Sequence, residues 1–484
     1  MGMTISVRSV DQYVLDMELR MPFHFGNTTL TELPHLFVRI EGGDDLDGQE
    51  GIAAEGLSPL WFLKEPGVTF ADGLDQMLEV IDKAAANAAE IEADTVFDFW
   101  LALYERQCEW ATMTDHPPLL WSFGVSLVER AVIDAFCRER ETTFHQAVCE
   151  NALGIKLGEI YSALTGTEPA DHLPDEPQRT TAIRHTVGFT DPLTEADLDA
   201  ESRLDDGLPQ TLRQYIEQQG VSYFKIKLGG DVERDADRLT RLADELEELE
   251  EYAVTLDANE QYGDADSFRT DWERLTDEPG IDPLLERLRY IEQPLARGDA
   301  LTDATRETLA EWDDRPPMII DESDGELRSL GRALECGYVG TSHKNCKGVF
   351  KGLANACLIE HRRREDPDGE YVISGEDLST VGPVSLPQDL AVMATMGKRH
   401  VERNGHHYFC GMAMLPTDLQ DDLLATHGDL YREHDQGFPT LDIDDGQTEL
   451  ESVVDASFGY GAALNLDIEQ FTPRVEWEFS PSSD

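Results

Sequence analysis

Four short apolar segments in the middle of the chain each carry charged side chains at or near their ends. They comprise residues 223–228, 254–259, 288–294 and 318–323. Their charged residues follow one another at intervals of 32, 35 and 29 positions and are Lys225, Asp257, Glu292 and Asp321. A strand that returns through a helix to a parallel strand needs about 30 residues. The spacing therefore predicts βα units of a parallel barrel, whose strands end at one rim, where such barrels carry their chemistry.

The three carboxylates in this set indicate a metal site. At the ends of successive strands, Asp257, Glu292 and Asp321 would converge, and like charges a few Å apart raise each other's pKa. A hard divalent cation with oxygen ligands removes the conflict, and Mg²⁺ is the usual choice. Any one of the three could simply cap a helix, but the set in register favours Mg²⁺ as the cofactor.

Lysine is scarce in this chain, which makes the pair Lys225 and Lys227 conspicuous. Arginine carries most of the positive charge, but an arginine cannot deprotonate near neutral pH, whereas a lysine can be tuned to do so. Residues two apart on a strand point to the same face. Two close ammonium groups lower each other's pKa, which leaves one of them able to act as a base. The alternative is a pair of surface lysines on an edge strand.

A further lysine, Lys344, ends the predicted sixth strand, residues 337–344. In a closed barrel this strand lies across the mouth from strand two, so its amine would face the first pair. Lys347 and Lys351 are nearby competitors, ranked lower because we expect them in the following loop and helix. Amines on both sides of a metal-bound carboxylate substrate suit abstraction of its α-proton, because the metal stabilises the enediolate that forms.

The charge balance excludes several partners. The 484 residues contain 98 acidic and 39 basic side chains, a net charge of −59, which argues against nucleic acid and anionic membranes. The acidic residues are spread along the whole chain, and the hydrophobic content of 40% argues against a disordered protein. We interpret the composition as a solvated acidic surface adapted to high salt, where self-repulsion is screened.

The cysteines and the amino terminus indicate a cytoplasmic protein. The seven cysteines include no Cys-x-x-Cys pair and favour reduced thiols. The first residues lack the charged and apolar regions of a signal peptide, and no stretch holds 18 apolar residues. We therefore expect no membrane span.

The motifs together resemble the enolase superfamily, in its mandelate racemase/muconate lactonizing enzyme branch. Lys225-Ile-Lys227 resembles the Lys-x-Lys that ends strand two of that branch. Its three metal-ligand motifs are matched by Asp257-Ala-Asn259, Glu292-Gln-Pro294 and Asp321-Glu-Ser323. Residues 337–344 resemble the strand with the opposing lysine, although the Gly-Gly usual after it is replaced by Asn345-Cys-Lys-Gly348.

The resemblance implies an α/β fold, a modified TIM barrel (β/α)7β with an α+β capping domain. We expect the capping domain at 1–163, a linker rich in proline and acid at 164–182, the barrel at 183–411, and a carboxy-terminal segment at 412–484 that returns to the capping domain. In the first part we predict strands within 4–20, 36–40 and 51–55, a loop at 21–26, and helices near 71–92, 93–110 and 123–140. Barrel strands one, seven and eight are predicted at 183–189, 371–376 and 406–410.

Roles for single residues also follow from the resemblance. Lys227 would be the acid/base on one face with Lys225 tuning it, and Lys344 would be the acid/base or a cationic stabiliser on the other. The metal ligands would be Asp257, Glu292 and Asp321, supported by Asn259 and Glu322. The loop with Phe23, His24 and Phe25 would close over the substrate, and Glu376 is a further candidate contact. The roles of His406 and His407 are left open.

Several functions remain open at this point. The paired lysines favour racemisation, epimerisation, cycloisomerisation or dehydration of a small-molecule carboxylate. An acid-sugar dehydratase of the same superfamily is the alternative, although Ser374-Gly-Glu376 stands where a histidine base would be expected. A metal hydrolase is disfavoured because the predicted strands contain no His-x-His pattern. A catalytically silent metal-binding relative is disfavoured because it would have no need for buried amines. Members of the branch are often homo-oligomers, but no interface can be recognised in the sequence.

Overall fold

The computed structural model describes residues 3–25, 28–461 and 463–479, and its amino-terminal part is an antiparallel sheet covered by helices. The strands are β1 (Ile5–Leu15), β2 (Glu18–Phe25), β3 (Thr28–Glu32), β4 (His35–Asp44), β5 (Glu50–Gly56) and β6 (Glu92–Ala93). The helices are α1 (Pro59–Phe62), α2 (Phe70–Ala88), α3 (Val96–Ala111), α4 (Pro118–Glu139), α5 (Phe144–Cys149) and α6 (Leu157–Ile160). Strands β6, β4 and β5 extend the sheet around β1, whereas β2 and β3 form a separate hairpin.

The middle of the chain closes into a barrel of eight parallel strands. These are β7 (Thr180–Val187), β8 (Tyr223–Lys227), β9 (Ala253–Asp257), β10 (Leu288–Glu292), β11 (Met318–Ile320), β12 (Gly340–His343), β13 (Val372–Gly375) and β14 (His400–Arg403). Each strand pairs in parallel with the next, and β14 pairs with β7 to close the ring. The predicted α/β class and barrel are confirmed.

Helices fill the connections between these strands. They are α7 (Leu212–Gln219), α8 (Val232–Leu246), α9 (Ala265–Thr276), α10 (Asp282–Leu285), α11 (Asp303–Ala310), α12 (Ser329–Cys336), α13 (Val349–Glu365) and α14 (Ser385–Thr395), followed after the last strand by α15 (Gly405–Tyr408). Because each of the seven connections contains a helix and the ring ends on a strand, the order is (β/α)7β. Helix α8 shows how such a helix covers the barrel, since Leu239, Leu242 and Leu246 are buried at helical spacing.

The carboxy-terminal segment runs back along the molecule. It contains α16 (Thr417–Thr426), β15 (Tyr431–Glu433), β16 (Pro439–Leu441), β17 (Gln447–Glu449), α17 (Glu451–Val454) and β18 (Thr472–Pro473). Strand β18 pairs antiparallel with β1, at Tyr13 and Val14. The last part of the chain therefore adds a strand to the amino-terminal sheet.

Two sequence predictions differ from the structure. The eighth strand is His400–Arg403, whereas the predicted segment 406–410 overlaps the helical turn α15. Tyr408 of that segment is buried against the β2–β3 hairpin, where its ring centre lies 4.2 Å from that of Phe23, and it donates a hydrogen bond to Asp191. Residues 21–25 of the predicted loop form the second half of β2, because their partners in β3 complete a hairpin.

No helix in the described part of the chain is long and apolar enough to cross a membrane.

The contact between strand β5 and helix α4 depends on a glycine. Helix α4 is buried along almost its whole length, and it approaches β5 at Gly51. A Cβ atom at Gly51 would lie 2.0 Å from the carbonyl oxygen of Ala131 and 2.6 Å from the backbone nitrogen of Ala135. Only a residue without a side chain allows the strand and the helix to pack this closely.

We expect Gly51→Ala to lower the free energy of unfolding by about 1–3 kcal/mol, the usual cost of overpacking a core. The control is Gly263→Ala, where an added Cβ would meet nothing within 4 Å and the backbone is not left-handed. Urea unfolding followed by circular dichroism measures both. Equal stability of the two variants would contradict the close packing of β5 on α4.

Candidate active site

The charged residues singled out by their spacing lie together at the carboxyl ends of the barrel strands. Lys227 ends β8 and Lys225 lies two residues before it; Asp257 ends β9, Glu292 ends β10, and Asp321 follows β11 directly. All five side chains are buried. Parallel strands in a barrel bring their carboxyl ends to one rim, which is why residues about 30 positions apart meet.

Lys227 bridges two neighbouring strand ends. Its Nζ lies 2.6 Å from Oδ2 of Asp257 and 2.7 Å from the amide oxygen of Asn259. Burial alone would raise the pKa of Asp257, but Lys225 and Lys227 hold it below its ordinary value. The carboxylate of Asp257 is therefore ionised and holds both lysines of β8 close together.

Lys225 is surrounded by four carboxylates. Its Nζ lies 3.0 Å from Asp257, 2.8 Å from Glu292, 2.7 Å from Glu376 and 3.0 Å from Glu402. Burial alone would lower the pKa of this ammonium, but the four carboxylates raise it well above its ordinary value. The lowering of pKa that we expected from the neighbouring lysine is thus not found for Lys225, because carboxylates outnumber the one amine beside it.

Asp321 is held by two lysines that follow the neighbouring strand β12. Its Oδ2 accepts a hydrogen bond of 2.5 Å from Lys344, and its Oδ1 accepts one of 3.1 Å from Lys347 and another from the hydroxyl of Ser342. Although burial opposes ionisation, the two lysines lower the pKa of Asp321 strongly. Asp321 thereby positions Lys344, whose Nζ also lies 4.4 Å from the ring centre of Trp61.

Lys227 and Lys344 face one cavity from opposite sides. Strands β8 and β12 are four positions apart in the ring of eight, so their ends lie across the barrel mouth from each other. The cavity has a polar floor and an apolar wall. The polar lining comprises Ser58, Lys225, Lys227, Asn259, Lys344, Asp377, Ser379, Glu402 and Asn404. The apolar lining comprises Phe23, Leu30, Leu33, Trp61 and Leu378.

Asn259 and Glu322 lie beside the rim carboxylates and are joined by a hydrogen bond. The backbone N–H of Asn259 donates to Oδ1 of Asp257 at 3.0 Å, and its side-chain Nδ2 donates to Glu322 at 3.1 Å. Burial, Asp321 and Glu260 raise the pKa of Glu322 to about 7. Asn259 therefore contacts the predicted metal ligand Asp257, and Glu322 contacts Asn259.

The residues predicted to contact substrate fall in different places. Phe23 lines the cavity. The ring of His24 bonds to Thr29 at 2.9 Å and lines a separate outer cavity together with Lys227. The backbone of Phe25 ends β2, and its side chain lies outside the described residues. Glu376 is fully buried beneath the cavity, where it bonds to Arg184 and Ser374 as well as to Lys225.

The two histidines of α15 lie away from the cavity lining. The Nε2 of His406 lies 3.1 Å from a ring nitrogen of His185, and the Nδ1 of His407 lies 2.8 Å from the hydroxyl of Tyr215. His407 also approaches Asp191 at 3.4 Å. They belong to a buried aromatic cluster beside the barrel.

Several site residues were missed or ranked too low from the sequence, among them Glu402, Asn404 and Lys347. Glu402 and Asn404 line the cavity, and they were missed because the eighth strand was placed after them. Lys347 does follow the strand, in a short 3-10 turn, but its side chain turns back into the rim. The scarcity of lysine could have indicated the importance of Lys347, because Lys344, Lys347 and Lys351 cluster in a chain that contains few lysines.

The amino-terminal domain helps to place these lysines. Glu129 on α4 accepts hydrogen bonds from the backbone N–H groups of Val349 at 3.1 Å and Phe350 at 2.7 Å, the first residues of α13. A carboxylate at this end of a helix is favourable because it meets unpaired N–H groups and the positive end of the helix dipole. The segment with Lys347 and Lys351 is therefore anchored from outside the barrel.

The donor set fits a hard divalent cation. Asp257, Glu292 and Asp321 present buried carboxylate oxygens at one rim, which are the ligands that Mg²⁺ prefers. Burial and the neighbours Asp257 and Glu376 raise the pKa of Glu292 well above its ordinary value, and Lys225 only partly opposes this rise. Each of the three carboxylates lies against a lysine ammonium group. Among the described residues, no three acidic, histidine or cysteine side chains are arranged so that they could hold a metal ion as they stand.

Solved structures identify the fold. A dipeptide epimerase from Enterococcus faecalis V583, complexed with Mg and the dipeptide L-Leu-L-Tyr, is 13% identical, with 94% of this chain and 99% of that chain covered and a TM-score of 0.59. A muconate lactonizing enzyme from Pseudomonas fluorescens, complexed with muconolactone, is 16% identical, with coverages of 97% and 99% and a TM-score of 0.58. An N-succinyl Arg/Lys racemase from Bacillus cereus ATCC 14579 is 15% identical, with coverages of 93% and 97% and a TM-score of 0.56.

The chain has the fold of the enolase superfamily. The resemblance drawn from the motifs is thus confirmed at the level of the fold. No protein-family model and no curated protein matches the sequence. The enolase-superfamily fold also agrees with the position of the candidate site at the carboxyl ends of the strands, which was reached from the residues alone.

We expect Lys347→Met to lower the free energy of unfolding by about 3 kcal/mol, because it removes one partner of a buried ion pair. The Lys347 Nζ donates to the carbonyl oxygen and hydroxyl of Ser342, at 2.7 and 2.8 Å, as well as to Asp321. The matched control is Lys156→Met, which breaks an exposed ion pair with Asp98 and should cost less than about 1 kcal/mol. Urea unfolding of both variants gives the comparison. Equal costs would mean that Lys344 alone compensates the charge of Asp321.

Proposed function

We propose that the protein is an enolase-superfamily lyase or isomerase that removes a proton α to a carboxylate through an enediolate. The products would be those of racemisation, epimerisation, cycloisomerisation or dehydration. The observation that carries this proposal is the pair Lys227 and Lys344, which line one cavity from opposite strands. Two amines on opposite faces of a bound carbon can remove a proton from one side and return one on the other.

The proton transfers follow from this placement. The Lys227 amine takes the α-proton as the C–H bond breaks, and the electron pair moves into the enediolate. The Lys344 ammonium then returns a proton to the same carbon from the other face, or stabilises the enediolate while a leaving group departs. Asp257 and Asp321 keep the two Nζ atoms in position.

The third lysine on this rim has a different task. Because four carboxylates surround the Lys225 Nζ and raise its pKa, this lysine serves as a fixed cation beside the substrate carboxylate. Although burial opposes it, Asp321 raises the pKa of Lys344 as well, so Lys344 carries a proton when the substrate binds and acts first as the acid. When bound at Asp257, Glu292 and Asp321, Mg²⁺ would supply the further positive charge that stabilises the enediolate.

The cavity wall favours an apolar substituent on the substrate. The amino-terminal domain contributes the apolar side chains Phe23, Leu30, Leu33 and Trp61 to the cavity lining, whereas the lysines and carboxylates come from the barrel. The many hydroxyls of an acid sugar would be left without partners against such a wall, at a cost in binding. The structure therefore supports a small carboxylate with an apolar group over the acid-sugar alternative.

Exchange of α-protons for deuterium tests the proposal. The enzyme is incubated in D₂O with Mg²⁺ and molar KCl, chosen because we propose that the acidic surface is adapted to high salt. Separate D and L forms of amino-acid derivatives, dipeptides and hydroxy acids are followed by mass. We expect Mg²⁺-dependent exchange that EDTA abolishes. Loss of a general base should slow exchange by about 10²–10⁴-fold.

Assays with separate enantiomers distinguish the roles of Lys227 and Lys344. In a racemase or epimerase, Lys227→Ala should abolish exchange from one enantiomer and Lys344→Ala from the other, whereas Lys156→Ala, a remote surface variant, should exchange like the parent. Full exchange from both enantiomers in Lys227→Ala would show that the base is misassigned. Mg²⁺-independent exchange would overturn the metal site.

A further inference from the structure

A second wide cavity opens at the amino-terminal end of the barrel, the end opposite the candidate active site. Its lining includes Tyr223, Val372 and His400, the first residues of β8, β13 and β14. The cavity volume is about 710 Å³. Barrel enzymes place their chemistry at the other rim, so the proposed reaction makes no use of this space.

The charges that line this cavity are mostly positive. They belong to Arg289, Arg363, Lys398 and Arg399, and the acidic side chain in the lining is Glu370. This balance is the reverse of that of the whole chain, which has 98 acidic and 39 basic residues. A concave surface lined by one sign of charge focuses its field and concentrates ions of the opposite sign.

Most of these cations have no acidic partner. Among the described residues, no carboxylate lies within ion-pairing distance of Arg289, Lys398 or Arg399 (Arg363 pairs with Glu360). The Lys398 Nζ makes a single long hydrogen bond of 3.4 Å, to the carbonyl oxygen of Ile373. This is unusual in a chain with so many acidic residues.

Lys398 is the most informative of these groups. Burial and the nearby Arg363 lower its pKa to about 8, although Glu360 acts in the opposite direction. Buried cations at the other rim show the opposite arrangement, since Lys225 and Lys344 each lie against carboxylates. An anion bound beside Lys398 would supply the partner that the chain itself does not provide.

His400 adds an uncharged donor to the same lining. Its Nδ1 lies 2.7 Å from Nη1 of Arg184. Because a guanidinium can only donate, Nδ1 is the acceptor, and the neutral ring carries its proton on Nε2. Burial and Arg184 lower the pKa of His400 to about 3, which agrees with a neutral ring.

We propose that this cavity is a binding site for a small anion with two or more negative charges, such as a di- or tricarboxylate or a phosphate. The guanidinium groups of Arg289 and Arg399 match carboxylate and phosphate oxygens in a two-pronged geometry, and Lys398 adds a point charge. The site is separate from the one proposed for proton abstraction, since the two open at opposite ends of the barrel. Its occupancy does not depend on that reaction.

Isothermal titration calorimetry with citrate and with inorganic phosphate tests the proposal. The protein is the full chain, and the variant is Lys398→Gln/Arg399→Gln, with Lys83→Gln, a lysine of α2 remote from the cavity, as the control. We expect the double variant to bind at least about tenfold more weakly and the control to bind like the parent. Affinity should fall as KCl is raised, because salt screens exposed charges.

The relative affinities for citrate and phosphate distinguish the two classes of ligand. Tighter binding of citrate assigns a polycarboxylate, and tighter binding of phosphate assigns a phosphate-bearing ligand. No measurable binding of either anion, or equal affinity in the parent and the double variant, would overturn the proposal. The substitutions remove cations that lack ionic partners, so we expect the same unfolding temperature for each variant without anion. Arg399→Gln alone, at an exposed position, provides a second variant if the double variant unfolds earlier.

Discussion

The pairing of buried charges is the constraint on which the rest of this structure depends. A charged group taken out of water costs several kcal/mol unless an opposite charge and hydrogen bonds meet it. At the carboxyl rim of the barrel, the ammonium of Lys225 is met by four carboxylates and Asp321 by two lysines. None of these groups could stay buried without the others. The closed ring of strands brings them within 3 Å or so of one another from positions far apart in the chain.

The amino-terminal domain completes what the barrel cannot provide alone. The ring of Trp61 covers the ammonium of Lys344, and Phe23 forms part of the apolar wall opposite the charges. Glu129 reaches from α4 to the start of α13 and anchors the segment that carries Lys347. The guanidinium of Arg297 in the barrel binds the carbonyl oxygens of Trp61 and Phe62, at 3.0 and 2.7 Å. The cavity therefore exists only where the two parts of the chain meet.

Much of the site could be predicted because it depends on local patterns repeated at a fixed interval. An apolar run that ends in charge is readable as a buried strand, and the intervals from Lys225 to Asp321 match βα units. Strand eight shows where this reasoning fails. His400–Arg403 contains three charged or titratable residues, and a buried strand of that composition is possible only because Arg184, Lys225 and Asp389 supply partners from other parts of the chain. Propensity favoured the aromatic segment that follows, and Glu402 and Asn404 were missed with it.

By itself the sequence determined the fold class, the order of the barrel strands and the rim residues Lys225, Lys227, Asp257, Glu292 and Asp321, because strand periodicity and spacing are local properties. Only the tertiary structure decided the partners of each charge. Whether Lys225 carries a lowered or a raised pKa depends on Glu376 and Glu402, more than 150 residues away in the chain. The basic cavity at the other rim likewise appears only when Arg289 and Lys398 are brought together. Electrostatic environment is set by distances in space, and those distances follow from barrel closure rather than from any local pattern.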